Sequence, residues 1–429
     1  MNGAGGCLNA GSLAARFSAA RRQTLRLAEA LTPEDMMVQS CAEASPAKWH
    51  LAHTAWFFES FVLGAFLPRY QAFNPDFEWL FNSYYRSFAA FPEKRLRASF
   101  SRPGLQAVLA YRAHVDDAVE RLLAGDPQPE ALRRIELGVN HEEQHQELLL
   151  TDILHAFFTN PLRPVYAEGS ESSGPQTLHP AHQAHSSKPA PYLEFAGGLR
   201  EVGFGGSGFC FDNELPRHRV WLEPFALAGR LVTCGEFAAF LEDGAYRRPE
   251  LWLSAGWDAV QAQGWKAPLY WSKAEDGWTV FTLRGERSLA ELANVPVSHL
   301  SYFEADAYAR WAGARLATEM EWEAAAEGAP PEGNLLSSGR LTPAAAAEGE
   351  TQLFGDCWEW TASAYLGYPG FKPLDGSLGE YNGKFMSGQM VLRGGSCATP
   401  AAHIRASYRN FFAPETRWQF SGIRLARAL

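Results

Sequence analysis

Asn140-His141-Glu142-Glu143-Gln144-His145-Gln146-Glu147 is the stretch that decides how the chain is read. It continues as Leu148-Leu149-Leu150, with Ile153, Leu154, Phe157 and Phe158 beyond, apolar positions at helical spacing. Residues four apart share one helical face with Cβ atoms about 6 Å apart, so His141 and His145 can chelate one ion. On an exposed helix such a pair is ordinary polar surface. On a helix this apolar the pair is buried, and buried imidazoles need partners for their lone pairs. His141-Glu142-Glu143-Gln144-His145 also has the His–His interval of zinc peptidases, with Glu142 in the general-base position. That pattern is short, and no H-x-x-G-x-x-H extension accompanies it.

A third ligand has to come from a neighbouring helix. Trp49-His50-Leu51-Ala52-His53-Thr54-Ala55-Trp56 offers two imidazoles. His53 is in register with Trp49, Trp56 and Phe57 on the apolar side, and His50 lies a step away. A lone histidine on such a face is usually a satisfied core residue; beside a second histidine pair it reads as a ligand. Three neutral imidazoles around a divalent ion with open positions suit iron that takes up O₂ and substrate, while spacing alone also admits zinc. The helical period recurs over Leu13–Leu31, Ala47–Leu67, Gly104–Leu123 and Ala131–Phe158. Pro68 closes the second stretch, and Thr32-Pro33-Glu34-Asp35 opens a capped element after the first. Four such stretches predict an antiparallel bundle.

Between Ala167 and Tyr192 the chain becomes rich in Ser, Pro, Gly and His, the composition of a linker, and its His179, His182 and His185 are expected to be bystanders. From Leu193 onward come short apolar runs with many Gly and Trp. Ser301–Gly313 and Glu319–Glu327 are the clear helical stretches of an otherwise irregular α+β domain. A length of 429 residues favours two domains. The net charge of −10, without any Lys/Arg run, excludes a nucleic-acid surface. No run approaches the roughly 18 apolar residues of a membrane span, and Met1–Arg22 lacks the apolar region of a secretory signal. Six scattered cysteines without a C-x-x-C pair read as free thiols, so a cytoplasmic protein is expected. Oligomeric state is not legible.

The ordered set of motifs along the chain resembles the EgtB-type sulfoxide synthases of ergothioneine biosynthesis. In the first third the resemblance rests on Leu51-Ala52-His53 and on the run from His141 to Glu147. In the second half it rests on Pro296-Val297-Ser298-His299-Leu300-Ser301, the run from Ala314 to Glu323, and Trp358-Glu359-Trp360-Thr361. Leu392-Arg393-Gly394-Gly395-Ser396, Arg409-Asn410-Phe411-Phe412 and Phe420-Ser421-Gly422-Ile423-Arg424 complete it. The resemblance implies an α+β two-domain protein. A DinB-like four-helix bundle over 1–166 carries the iron ligands. A linker over 167–192 precedes a formylglycine-generating-enzyme/sulfatase-modifying-like (FGE-sulfatase, C-type-lectin-like) domain over 193–429.

The implied activity is that of an iron(II)-dependent oxidoreductase using O₂ to join hercynine (Nα-trimethylhistidine) to a thiol, forming a C–S bond and oxidising the sulfur. His53, His141 and His145 match the Fe(II) ligands. Gln144 and Asn410 match the residues holding hercynine, with Phe411 beside its quaternary ammonium. Phe412 stands where relatives using γ-glutamylcysteine carry Asp, and Phe81-Asn82-Ser83-Tyr84-Tyr85 is similar to relatives that use cysteine directly. Cysteine is therefore the implied thiol and hercynylcysteine sulfoxide the implied product. Tyr84 or Tyr85 is the implied proton donor, with Tyr365 and Tyr368 as the other source of such a phenol. Arg86 and Arg97 are candidates for the cysteine carboxylate. Four alternatives stay open here: γ-glutamylcysteine as thiol, a selenoneine synthase using a selenosugar, a zinc hydrolase or thiol transferase of the DinB-like class, and a non-enzymatic binding module.

Overall fold

The computed structural model describes residues 9–167 and 190–429. His179, His182, His185 and most of the expected linker lie outside the described residues. The chain divides into two compact units. The first is Met1–Tyr166 with Gly205–Cys210 and Pro373–Lys384; the second is Ala167–Phe204, Phe211–Lys372 and Phe385–Leu429.

Four long helices build the first unit: α1 (Ala10–Ala28), α2 (Ala47–Phe58), α3 (Leu105–Ala124) and α4 (Pro129–Thr159). Two of them begin on a local signal. The Asn9 side chain accepts from Gly11 N at 2.8 Å at the start of α1, and Pro129 opens α4, where a missing N–H costs nothing. Every residue of α2 is buried, so this helix is enclosed on all sides, its Lys48, His50, His53 and Thr54 included. It continues into a π-turn over Glu59–Leu63, from which the Glu59 carboxylate accepts from Tyr70 Oη at 2.6 Å and Tyr111 Oη at 2.7 Å. After α1, the Asp35 carboxylate accepts from Thr32 N and Oγ1 and braces the entry to the short turn Asp35–Met37.

α4 packs against both α1 and α2. Its approach to α2 requires Gly138, because a Cβ there would stand 2.4 Å from the Phe58 ring. That explains a glycine in a helix interior, where it otherwise costs about 1 kcal/mol.

The second unit is built from short strands. One four-stranded sheet runs β1 (Tyr192–Phe195), β4 (Phe225–Ala228), β13 (Leu425–Ala428), β8 (Arg315–Leu316). A second runs β11 (Asn410–Phe412), β10 (Met390–Arg393), β9 (Trp358–Ala364), β12 (Ser421–Gly422). A hairpin of β2 (Gly198–Val202) with β3 (His218–Leu222) and a meander of β5 (Trp271–Ala274), β6 (Gly277–Thr282) and β7 (Gly285–Ser288) complete the strands. Leu222, Phe225, Leu227, Ala317 and Ala426 form a core cluster between them. Buried ion pairs brace the loops: Arg424 grips Glu359 at 2.7 and 2.8 Å, and Arg409 grips Glu319 at 2.8 and 2.9 Å.

Both expected helices of this half are present, as α7 (Tyr302–Trp311) and α8 (Glu319–Ala325). Two more precede them, α5 (Cys234–Glu242) and α6 (Ser254–Gln263). The start of α5 is a capping box of Thr233 and Glu236 that the sequence displays but our reading passed over. No helix among the described residues is long and apolar enough to cross a membrane.

Candidate metal centre

The helical period of α4 turns the octet Asn140–Glu147 in two directions. Toward α1 and α3, Glu142 is gripped by Arg21 at 2.8 Å and Arg112 at 2.8 Å and accepts from Thr24 Oγ1 at 2.7 Å. Glu143 pairs with Arg16 at 3.0 Å, and Gln146 donates to Ala20 O at 2.9 Å. Burial alone would push the Glu142 carboxyl up, but the two guanidiniums hold it down at about 2. Glu142 is thus a structural anion with its oxygens taken, and the zinc-peptidase reading of this residue as a general base has no support.

Toward α2, the His141 and His145 rings meet His53. The three possible ligand atoms lie within 4.8 Å of one another. Ring centroids are 5.0 Å apart for His53–His141, 4.8 Å for His53–His145 and 4.5 Å for His141–His145. His53 stands in a stack of indoles, 4.3 Å from Trp49 and 5.3 Å from Trp56 with both planes inclined by 14°. Its Nδ1 lies 2.6 Å from Phe81 O, which makes Nδ1 the protonated nitrogen and leaves Nε2 bare.

Burial pushes all three imidazoles down, His141 to about 3 and the others well below their ordinary value, so they are neutral at physiological pH. The Nε2 atoms of His141 and His145 face each other at 3.1 Å. Metal–nitrogen bonds of about 2.0–2.1 Å put neighbouring ligand atoms at about that spacing. Three neutral nitrogen donors, two of them on buried rings and the third half-buried, converge without a carboxylate among them and fit a divalent transition ion.

The other expected residues fall into two groups. In the first unit, Gln144 sits half-buried one position before His145 on α4. Tyr84 and Tyr85 have ring centroids 4.8 Å apart. Tyr85 is fully buried, 5.0 Å from Phe61 and 5.7 Å from Trp56, and Phe57, 4.6 Å from His141, stands between it and the ligands. Burial raises the pKa of both phenols. Arg97 is buried with its guanidinium 3.5 Å over the Trp49 ring, donating to Ser45 Oγ at 2.7 Å and Ser83 Oγ at 2.8 Å. No carboxylate pairs with it among the described residues, and burial lowers its pKa to about 9. Arg86 is exposed.

In the second unit, Asn410, Phe411 and Phe412 form β11, paired with β10. Phe411 stacks on Tyr365 at 4.0 Å, and Phe412 lies edge-on to Trp418 at 6.1 Å. Tyr365 Oη accepts from Asn213 Nδ2 at 2.9 Å and Tyr368 Oη donates to Glu319 at 3.4 Å.

Comparison with known proteins places these features. A DinB superfamily model matches residues 16–149, and the sulfatase-modifying factor enzyme 1-like domain matches 180–348 and 339–429. Hercynine oxygenase of Mycobacterium tuberculosis is 32% identical, over 96% of this chain and 98% of that one. The chain belongs to the hercynine oxygenase family. The same name attaches to a Mycolicibacterium smegmatis protein, 32% identical over 97% of this chain and 98% of the other. Ergothioneine biosynthesis protein 1 of Schizosaccharomyces pombe is 26% identical over 51% of this chain and 28% of its own length.

This hercynine oxygenase family member also contains groups that sequence reasoning passed over. Tyr381 arrives from the distant segment Pro373–Lys384, which folds within the first unit, and its ring lies 5.7 Å edge-on from that of His141 and 6.2 Å from Tyr84. The segment is fastened there: Glu380 accepts from Ser87 N at 2.8 Å and Arg86 N at 3.2 Å, and Lys384 donates to Tyr84 O. No local signal marks Tyr381, since its neighbourhood is set by a long-range contact. His50, weighed against His53, lies behind the ligands with its Nδ1 2.8 Å from His145 Nδ1.

Proposed function

We propose that this protein is an iron(II)- and O₂-dependent sulfoxide synthase that joins hercynine to cysteine, giving hercynylcysteine sulfoxide in ergothioneine biosynthesis. The observation that carries the reading is the largely buried, all-imidazole cluster of His53, His141 and His145 in a chain related along nearly its whole length to hercynine oxygenases. A bound ferrous ion would supply the redox chemistry of O₂. The atoms balance with one O₂ per turnover: imidazole C–H and thiol S–H are lost, a C–S bond forms, one oxygen stays on sulfur and the other leaves as water.

The chain's residues bind and orient. Three neutral histidines hold the cation without cancelling its charge. By motif, Gln144 and Asn410 hold hercynine, and Phe411 offers a π face to its trimethylammonium group. Phe412 lacks the carboxylate that an Asp in its place would offer to the γ-glutamyl ammonium, which supports cysteine over γ-glutamylcysteine. Arg97, with no carboxylate partner among the described residues, is suited to the carboxylate of cysteine, and exposed Arg86 is not. Among the phenols, the core packing of Tyr85 favours Tyr84 or Tyr381 as proton donor.

Anaerobic loading with Fe(II), followed by hercynine, cysteine and O₂ and mass spectrometry of the products, tests the reading. The sulfoxide is expected with cysteine. Turnover with γ-glutamylcysteine alone would overturn the thiol assignment, and turnover with zinc but without iron would overturn the chemistry. Replacing the acting tyrosine by Phe is expected to divert products toward oxidised cysteine. Unchanged ratios in Tyr84→Phe, Tyr85→Phe and Tyr381→Phe alike would remove the proton-donor role.

A further inference from the structure

The three histidines differ in what stands behind them. His53 backs onto a main-chain carbonyl, and His141 Nδ1 is buried with no hydrogen-bond partner among the described residues. His145 alone backs onto a chain of side chains. Its Nδ1 lies 2.8 Å from His50 Nδ1, and His50 Nε2 lies 3.1 Å from Asp152 Oδ2. That carboxylate oxygen is pinned by Ser45 N at 2.8 Å. Both groups are buried, His50 2% exposed and Asp152 6%, so water does not compete for these bonds.

The direction of every proton in this chain follows from its last member. A carboxylate only accepts, so His50 carries hydrogen on Nε2. An imidazole that donates from one nitrogen accepts at the other, so His50 Nδ1 accepts from His145 Nδ1. The His145 lone pair is thereby confined to Nε2, the atom that faces His141 Nε2 at 3.1 Å. We infer that His50 and Asp152 are positioning residues that fix the tautomer and ring orientation of His145 and raise its basicity, making it the strongest of the three donors. The inference rests on the metal centre proposed above and extends it to two residues that touch neither ion nor substrate. Carboxylate-backed imidazoles are a recurring way of tuning a metal ligand, and loss of such a partner typically costs 10–100-fold in metal affinity. Here the carboxylate acts at one remove, through a second imidazole.

The test is metal affinity of the full chain, measured by Co(II) titration of metal-free protein through its visible absorption and by anaerobic equilibrium dialysis with Fe(II). Asp152→Asn keeps the shape and an accepting oxygen but removes the charge; His50→Leu removes the link. We expect about tenfold weaker binding in the first and roughly 10–100-fold in the second. The double variant should bind no more weakly than His50→Leu, because the carboxylate acts only through His50. A merely structural role would lower the thermal stability of the metal-free protein and leave metal affinity within twofold. That result, or additive effects in the double variant, would overturn the relay. Should His50→Leu fail to fold, Asp152→Asn decides alone. If the unaltered protein binds neither ion, the metal centre itself falls; if all variants bind equally well, only the relay does.

Discussion

Glu142 and its neighbours His141 and His145 show how one helical octet serves two purposes. The histidines look toward α2, and the carboxylate looks toward two buried guanidiniums. Removing its charge strands Arg21 and Arg112, and breaking a buried pair costs about 3–5 kcal/mol. Glu142→Gln is therefore expected to unfold at markedly lower denaturant concentration while binding Co(II) as the unaltered protein does. Loss of metal binding at unchanged stability would restore Glu142 to the site. His53→Ala, His141→Ala and His145→Ala should each weaken metal binding more than the outer variants do, without a comparable loss of stability, which calorimetry with and without metal can check. Spacing and register singled these three out as candidates beside His50, the family motif made them the matched set, and the structure brings their ring nitrogens together. Spacing gave no means of telling which way Glu142 points, since that depends on arginines from two other helices.

At the scale of elements, the convergence of His53 with His141 depends on how closely α2 and α4 approach. Gly138 lies one turn before His141, and a methyl group there would meet Phe58 at 2.4 Å. Gly138→Ala gains helix propensity of about 1 kcal/mol but forces overpacking that typically costs about 1–3 kcal/mol. We expect a net loss in thermal stability together with weaker metal binding, as the two helices are pushed apart. A variant that is more stable and binds metal normally would show that the approach is not needed.

α1, α3 and α4 were legible because each keeps a 3.6-residue period over many turns, whereas α2, three turns long and buried on every side, shows little of it. In the second unit the strands are mostly four to six residues long, too short for a period to emerge, and their partners are distant: β4 pairs with β13 and β9 with β12. Tyr381 was invisible for the same reason.

For the whole molecule, the centre and the surrounding fold make separate demands on conditions. An ion that binds only the folded state stabilises it by about 2.7 kcal/mol at 100 times its dissociation constant. Co(II) should raise the first unit's unfolding temperature accordingly, and His141→Ala should abolish the increment. Acid acts elsewhere as well. His299 of the second unit sits at φ 64°, enclosed by Tyr270 and Phe420, and burial pushes its pKa down to about 3. Between there and the ordinary value near 6.5, the unfolded chain takes up a proton that the folded one refuses. The contribution is therefore complete above about pH 6.5 and is lost as pH falls, by about 2 kcal/mol between pH 7 and pH 5. His299→Asn, which tolerates the same backbone conformation, should flatten that part of the profile. Equal acid sensitivity in both proteins would contradict it.

The twelve-residue segment Pro373–Lys384 belongs to the helical unit although the chain reaches it only after most of the sheets. A gene cut between the halves would leave the bundle missing a piece of itself, with Ser87 and the main chain at Arg86 and Tyr84 stripped of Glu380 and Lys384. Chimeras that splice the front of one family member onto the back of another would likewise import a foreign tyrosine next to a native histidine. The two units cannot be exchanged as cassettes, and mutations in the late segment are inherited as changes to the early one.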